Sequence, residues 1–412
     1  MDTTESKDIK VLTMRERLEL CAPFNLFFTT IPEEPKTTGY NCIAFPDLIC
    51  PSLGILEKSL QINFMLDIDW LIDQYEVHNL HTTPITVIWG RELVEDMSEY
   101  ISETYPNVKT HKVTMENPYG LHHSKIGIYK FGDDTIRIVI SSANLYFQDW
   151  NRYNQGLWMS PPLPKMAASS TILIALDPPT IEQTMLLPSE TGHDPEGALS
   201  WGIIAQASSL GLFGDNLGHW LEPILMRALS SHQASPYNKR APRNPTLSLI
   251  YPTDQNVENS IFGRSGGCCL PYKMNINEKQ EWLRDYLHVW KADNTGRSEV
   301  MPHIKSYMRV SPCLTKLAWC LITSGNISKA AWGCYPNRYG GSYIRSYEAG
   351  VLFLPHMFDD EYLHVKRPEG DDGKLFPVMF DLPLQPYQAD DIVWCSDRYR
   401  NEEDEEDTSE DE

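Results

Sequence analysis

Short β-type runs and amphipathic stretches follow one another along this chain, a pattern that predicts a mixed α/β fold. Ile85-Thr86-Val87-Ile88-Trp89, closed by Gly90, predicts a buried strand ending in a turn, and Arg91 to Thr104 then predicts a helix. Residues 122–131 and 135–141 predict two strands joined at Gly132-Asp133-Asp134, a hairpin signal. The same plan returns later as a strand over 302–310, a turn at Ser311-Pro312 and a strand over 317–323. Ile276 to Lys291 predicts a helix with Trp282, Leu283, Tyr286 and Leu287 on its apolar side. Between 160 and 200, Pro161, Pro162, Pro164, Pro178, Pro179, Pro188 and Pro195 break any long element. That stretch is expected to be a linker, with one short strand at Thr171–Leu176. Ser235 to Pro245, with Lys239, Arg240 and Arg243, predicts an exposed loop whose basic cluster is too short to be more than a weak nuclear-import signal.

Composition narrows the class. A chain of 412 residues, 42% hydrophobic, is ample for a large core and two or three domains. Met1 to Lys10 is polar, and no apolar run is long enough to span a bilayer, so the expectation is a soluble intracellular protein with no membrane partner. Nine cysteines, an odd number with no Cys-x-x-Cys, favour free thiols over disulfides or a zinc site. The net charge of −21 owes much to nine acids in Asn401–Glu412, a tail expected to be solvated and disordered. A nucleic-acid ligand would therefore need a local basic groove.

One short signature occurs twice. His123-Ser124-Lys125 is followed by Ser142-Ala143-Asn144, and His303-Ile304-Lys305 by Ser324-Gly325-Asn326, with 21 and 23 residues from His to Asn. A lone His-x-Lys on a strand is an ordinary surface pattern; two copies at matched spacing are not. On a strand, positions i and i+2 share a face, so His123 and Lys125 are expected to point together, as are His303 and Lys305. The hairpin would return each Asn beside its own His and Lys.

Two such clusters suit phosphoryl transfer. Two ammoniums and two amides can hold the oxygens of a phosphodiester as negative charge builds on them. One imidazole can attack phosphorus while the other handles the leaving-group proton. Neither motif contains a carboxylate cluster of the metal-binding kind. Because the copies are nearly symmetric, the residues leave open which histidine attacks.

The two motifs resemble those of the phospholipase D superfamily, in its tyrosyl-DNA phosphodiesterase type 1 branch. The similarity covers most of 23–160 and 200–397. It is densest from Asn117-Pro118-Tyr119-Gly120-Leu121-His122-His123 to Gln155-Gly156-Leu157-Trp158, from Met301-Pro302-His303 to Trp332-Gly333, and over Ile344-Arg345-Ser346-Tyr347-Glu348. Ordinary phospholipases D place an Asp five residues after the Lys; here those positions are Lys130 and Val310, as in the tyrosyl-DNA branch.

The resemblance implies two similar α/β domains with pseudo-two-fold symmetry and the site between them. It implies boundaries of 1–22, a short leading segment; 23–165, the first domain; 166–200, an atypical linker; 201–397, the second domain; and 398–412, the acidic tail. It implies His123 as nucleophile and His303 as general acid/base, with Lys125, Lys305, Asn144 and Asn326 on the phosphate. Glu348 would bond His123, and Gln155 would bond His303. Tyr119 would stack on a base, with Ser208, Ser209, Lys279, Ser328 and Ala330 along single-stranded DNA and Pro271 and Trp394 toward the peptide. The implied reaction removes tyrosine, a topoisomerase I peptide or another block from a DNA 3′ end through a phosphohistidine. It needs no cofactor and no metal, and implies a monomer located in the nucleus, with the cytoplasm as a second compartment.

The chain departs from the family at Lys165–Ser200, where proline-rich sequence replaces a helix and strand expected to complete the first sheet. It also departs at Cys269, for a usual Ser, and at Phe64, for a usual Tyr. Two other readings stand beside the enzyme: a catalytically impaired DNA-end-binding protein, and a nuclease or phospholipase of the same superfamily.

Overall fold

The computed structural model describes residues 12–90, 97–115, 120–164, 201–230, 245–334 and 344–399. The first half contributes β1 (Leu26–Thr29), β2 (Cys42–Ile43), β3 (Leu56–Asn63), β4 (Ile85–Trp89), β5 (Val108–Lys112), β6 (Leu121–His122), β7 (Ile126–Phe131), β8 (Thr135–Ser141), β9 (Gly156–Met159) and β10 (Leu163–Pro164). All but β6 form one sheet, ordered β2-β1-β9-β8-β7-β3-β4-β5 with β10 beside β8. The second half contributes β11 (Gly202–Gln206), β12 (Leu247–Ile250), β13 (Leu287–His288), β14 (Lys305–Val310), β15 (Lys316–Thr323), β16 (Ser346–Tyr347), β17 (Gly350–Phe353) and β18 (Leu363–His364). Its sheet is ordered β13-β12-β11-β14-β15-β17, with β18 beside β15.

The two sheets are built alike. β3, β4 and β5 run parallel, as do β11, β12 and β13. From β3 through β7 and β8 to β9 the pairings are antiparallel, as they are from β11 through β14 and β15 to β17. The helix Ile68–Glu76 covers the first sheet with Trp70, Leu71 and Tyr75 buried. It starts where Asp67 Oδ1 accepts from the Trp70 amide at 3.0 Å. The Tyr75 hydroxyl then pins it to β3 through Ser59 Oγ at 2.6 Å and Gln61 Nε2 at 3.1 Å.

One short strand serves both cores. Along β1 the side chains alternate faces, so Phe27 joins the first core while Leu26 and Phe28 join the second. The halves also approach closely at Gly156, where a Cβ would stand 2.4 Å from Ile304 Cδ1.

Both motif strands are shorter than their hydrophobic pattern predicts, for one reason. The predicted strand 122–131 is divided: β6 leaves the first sheet and pairs in parallel with β16 of the second half. The amide of Leu121 donates to Arg345 O at 2.8 Å and that of His123 to Tyr347 O at 2.9 Å. The predicted strand 302–310 begins only at Lys305, because the amides of His303 and Ile304 both donate to Asn154 O, each at 2.9 Å. In each half, the backbone of the His-x-Lys segment is bonded to the other half.

Ile276–Lys291 is not one helix. Met274–Asn277 makes a single turn, Glu278–Tyr286 continues as 3₁₀ with a non-helical break at Gln280, and β13 follows. The cause is tertiary. Buried Gln280 accepts from the Phe213 amide at 2.9 Å and donates to Gly211 O at 2.9 Å and Tyr272 Oη at 2.8 Å. The predicted helix from Arg91 is present as Ser98–Thr104, with 91–96 outside the described residues. The linker at 166–200, its strand at Thr171–Leu176, the basic residues Lys239, Arg240 and Arg243, and 400–412 of the acidic tail also lie outside them. All nine cysteines are free. Among the described residues, no helix is long and apolar enough to cross a membrane.

Candidate active site

The two His-x-Lys segments meet where the halves meet. Glu348 lies just before β17, and its Oε2 stands 2.7 Å from Nδ1 of His123. Gln155 lies just before β9, the equivalent strand, and its Nε2 and Oε1 stand 2.9 and 3.1 Å from Nδ1 of His303. Each imidazole is therefore held by a residue of the opposite half. The motif serines complete the crossing: Ser324 Oγ donates to Glu348 Oε2 at 2.5 Å, and Ser142 Oγ to Gln155 Oε1 at 2.7 Å.

The lysines are placed alike. Lys125 Nζ donates to His123 O at 2.6 Å and Lys305 Nζ to His303 O at 2.5 Å. Both ammoniums are buried, at 1% and 0% exposure, so each charge is held away from water. Burial pulls Lys125 down to about 7 and Lys305 down to about 8. Burial, then Lys125, pulls His123 down to about 4; burial, then Lys305, does the same to His303. Glu348 is held at about 2: burial pushes it up, and the His123 charge and hydrogen bond with Lys125 outweigh that. At neutral pH Glu348 is thus ionised.

The asparagines differ. Asn326 Oδ1 accepts from the amides of Ser208 and Ser209 at 3.1 and 3.0 Å and from Ser208 Oγ at 3.1 Å, which orients its NH₂ away from them. Asn144 is anchored instead through its own amide and Nδ2, which both donate to Asp149 Oδ2 at 2.5 and 3.0 Å. Its Oδ1 is buried without a partner. An indole reaches the backbone of both asparagines: Trp150 Nε1 donates to Asn144 O at 2.9 Å, and Trp332 Nε1 is shared between Asn326 O and Tyr307 Oη, each at 3.1 Å.

Phe64 stands edge-on to His123, ring centroids 4.9 Å apart, with Lys125 Nζ 5.3 Å from the same ring. Cys269 is buried, and burial pushes its thiol well above the usual value, so it is neutral.

Of the residues expected around DNA and peptide, Tyr119 lies outside the described residues. Lys279 and Pro271 are exposed. Ser328 caps the short helix Lys329–Trp332 by accepting from the Ala331 amide at 3.1 Å, and Ala330 O accepts from the Arg345 amide. Two of these residues are buried. Ser208 is 1% exposed and gives its hydroxyl to Asn326, so it orients that residue from beneath. Trp394 is 4% exposed and packs against Gly267.

Sequence reasoning missed Asp149, which is 0% exposed on its side chain and 3.4 Å from Nδ1 of His303. It has no counterpart in the second copy, where Ala331 follows Asn326 at the same spacing, so the repeat gave no signal for it. Trp150 and Trp332 were also missed, although each stands six residues after its Asn. Among the described residues, no group of three or more His, Cys, Asp or Glu converges as a metal-ligand set.

A profile of the tyrosyl-DNA phosphodiesterase family matches residues 25–174 and 181–388. The interruption is confined to 175–180, narrower than the atypical stretch expected at 165–200. Tyrosyl-DNA phosphodiesterase 1 of Drosophila melanogaster is 33% identical over 441 positions, covering 93% of this chain and 75% of the relative. The Arabidopsis thaliana protein of the same name is 28% identical, covering 88% and 73%. In fold, the chain is similar to the crystal structure of the yeast tyrosyl-DNA phosphodiesterase, with a TM-score of 0.66 at 20% identity over 90% of this chain and 98% of that one.

Proposed function

The chain belongs to the tyrosyl-DNA phosphodiesterase family, and from that membership we propose a specific reaction, substrate and set of residue roles. It is a phosphodiesterase of DNA repair. Its substrate in this reading is a DNA 3′ end carrying a phosphotyrosyl residue or topoisomerase I peptide, or another 3′ block. Nε2 of His123 attacks phosphorus and the P–O bond to the tyrosine breaks. His303 gives a proton to the departing phenolate, then takes one from the water that cleaves the P–N bond. The products are a 3′-phosphate and free His123. Lys125, Lys305, Asn144 and Asn326 hold the non-bridging oxygens, and the two ammoniums supply the charge that a metal would otherwise bring.

The observation that carries this reading is the crossed pairing of His123 with Glu348 and His303 with Gln155. An ionised carboxylate on Nδ1 holds one tautomer and supports positive charge, which suits a nucleophile that becomes a phosphohistidine. An amide can donate or accept, which suits an imidazole that must give a proton and then take one. These pairs favour His123 as nucleophile, which symmetry of the motifs alone left open. A functional division at 23–165 and 201–397, action as a monomer, and residence in the nucleus complete the proposal.

The test is cleavage of a 3′-phosphotyrosyl single-stranded oligonucleotide in EDTA. Wild type should cleave. His123→Ala should lose turnover by more than about 10⁴-fold, and His303→Ala by about 10²–10⁴-fold with a DNA adduct trapped on His123. Binding without cleavage by folded wild type would move the protein to the end-binding reading.

A further inference from the structure

Beneath His303 lies a buried cation outside the catalytic set. Arg297 is 1% exposed, and among the described residues no carboxylate pairs with it. Its Nη1 donates to Asn154 Oδ1 at 2.7 Å and its Nη2 to Cys42 Sγ at 3.1 Å, and the guanidinium sits 5.6 Å from the Phe28 ring centre. Burying a guanidinium against an amide, a thiol and a ring carries a desolvation cost that only these contacts offset.

Asn154 is the residue so enforced. It is 0% exposed and every polar group it has is used. Its Nδ2 donates to Val300 O at 2.7 Å and Arg297 O at 3.3 Å, and its amide to Met301 O at 2.9 Å. Its carbonyl takes the amides of His303 and Ile304. The next residue, Gln155, reaches the His303 ring. One dipeptide of the first half thus fixes both the backbone and the imidazole of His303, and Arg297 ties that dipeptide to β2 through Cys42.

We propose that Arg297 and Asn154 form a clamp across the two halves that positions His303, so that they are positioning residues for the proton-transfer steps and not for attack by His123. His123 is held separately, by β16 and Glu348. The inference rests on the phosphodiesterase reading above.

The test uses a nucleotide 3′-(4-nitrophenyl phosphate), whose leaving group departs without protonation. Attack by His123 then releases nitrophenolate in a first-turnover burst, whereas resolving the covalent intermediate needs His303 to activate water. In Asn154→Ala the burst should stay close to wild type in rate and amplitude. Steady-state turnover should fall by about 10²-fold, the scale of a misplaced group, and a covalent protein–DNA species should accumulate. Arg297→Lys keeps the charge but cannot fork onto two partners; it should give the same split with a loss of about 10-fold, and serves if Asn154→Ala does not fold. Burst and steady state falling in proportion, with no adduct, would overturn the clamp as a positioning device. No nitrophenolate from wild type would instead overturn the phosphodiesterase reading, so the two failures are distinguishable.

Discussion

The two halves of this molecule share a strand order, a motif and a tryptophan bracket, yet they surround their histidines with different chemistry. His123 faces a carboxylate that is ionised and bonded to a serine. His303 faces an amide bonded to the equivalent serine, with Asp149 farther off at 3.4 Å. A duplicated frame places the groups alike, while Glu348 stands against one imidazole and Gln155 and Asp149 against the other. The frame also makes the halves interdependent, since each His-x-Lys backbone and each imidazole is bonded across the seam.

The largest test of that comparison removes the charge and leaves the shape. Glu348→Gln should reduce turnover by about 10²–10⁴-fold, as losing a carboxylate that fixes an imidazole tautomer does elsewhere. Gln155→Ala should cost about 10-fold less than that, because Asp149 and the Asn154 carbonyl still hold His303. Steady-state kinetics on the tyrosyl oligonucleotide decide it; equal losses would mean that the carboxylate is not special.

A pH profile sharpens the same contrast. His123 is depressed to about 4, so it stays neutral for attack until pH falls below about 5. His303 must hold a proton to act as acid, which the bound phosphate's negative charge favours; the acid limb of kcat/KM therefore reports His123. The lysines are depressed to about 7 and about 8, so they lose charge as pH rises through that range and phosphate binding weakens. A bell with its alkaline limb near 7–8 is expected. An alkaline limb above pH 10 would mean that both lysines titrate normally.

The smallest effect tests the symmetric part. Trp150→Phe removes an indole hydrogen bond to an asparagine carbonyl and Trp332→Phe the same bond together with one shared with Tyr307 Oη; each should destabilise by about 1 kcal/mol in thermal melts. A difference of several kcal/mol between them would break the equivalence of the halves.

Much of this was legible in the chain. The doubled His-x-Lys…Asn pattern marked the six central side chains, and hydrophobic alternation placed β7, β8, β14 and β15. What escaped was long-range. The partners of His123 and His303 lie 225 and 148 residues away, and periodicity reports burial, not the identity of the covering residue. The same limit hid the early ends of both motif strands and the break at Gln280, where a buried amide overrode a helical pattern. Asp149 was invisible because a repeat shows only what is repeated. The resemblance supplied the contacts of Gln155 and Glu348 with the two imidazoles.

The crossing also bears on how the protein comes into being on the ribosome. A growing chain completes the first sheet, with His123 and Lys125 in place, long before residue 348 has been made. Until Ser346–Tyr347 emerges to pair with Leu121–His122, the His123 imidazole has neither its backbone tether nor its carboxylate. A chain cut short before that point lacks both contacts to the His123 segment, so the site is assembled only from a nearly whole chain.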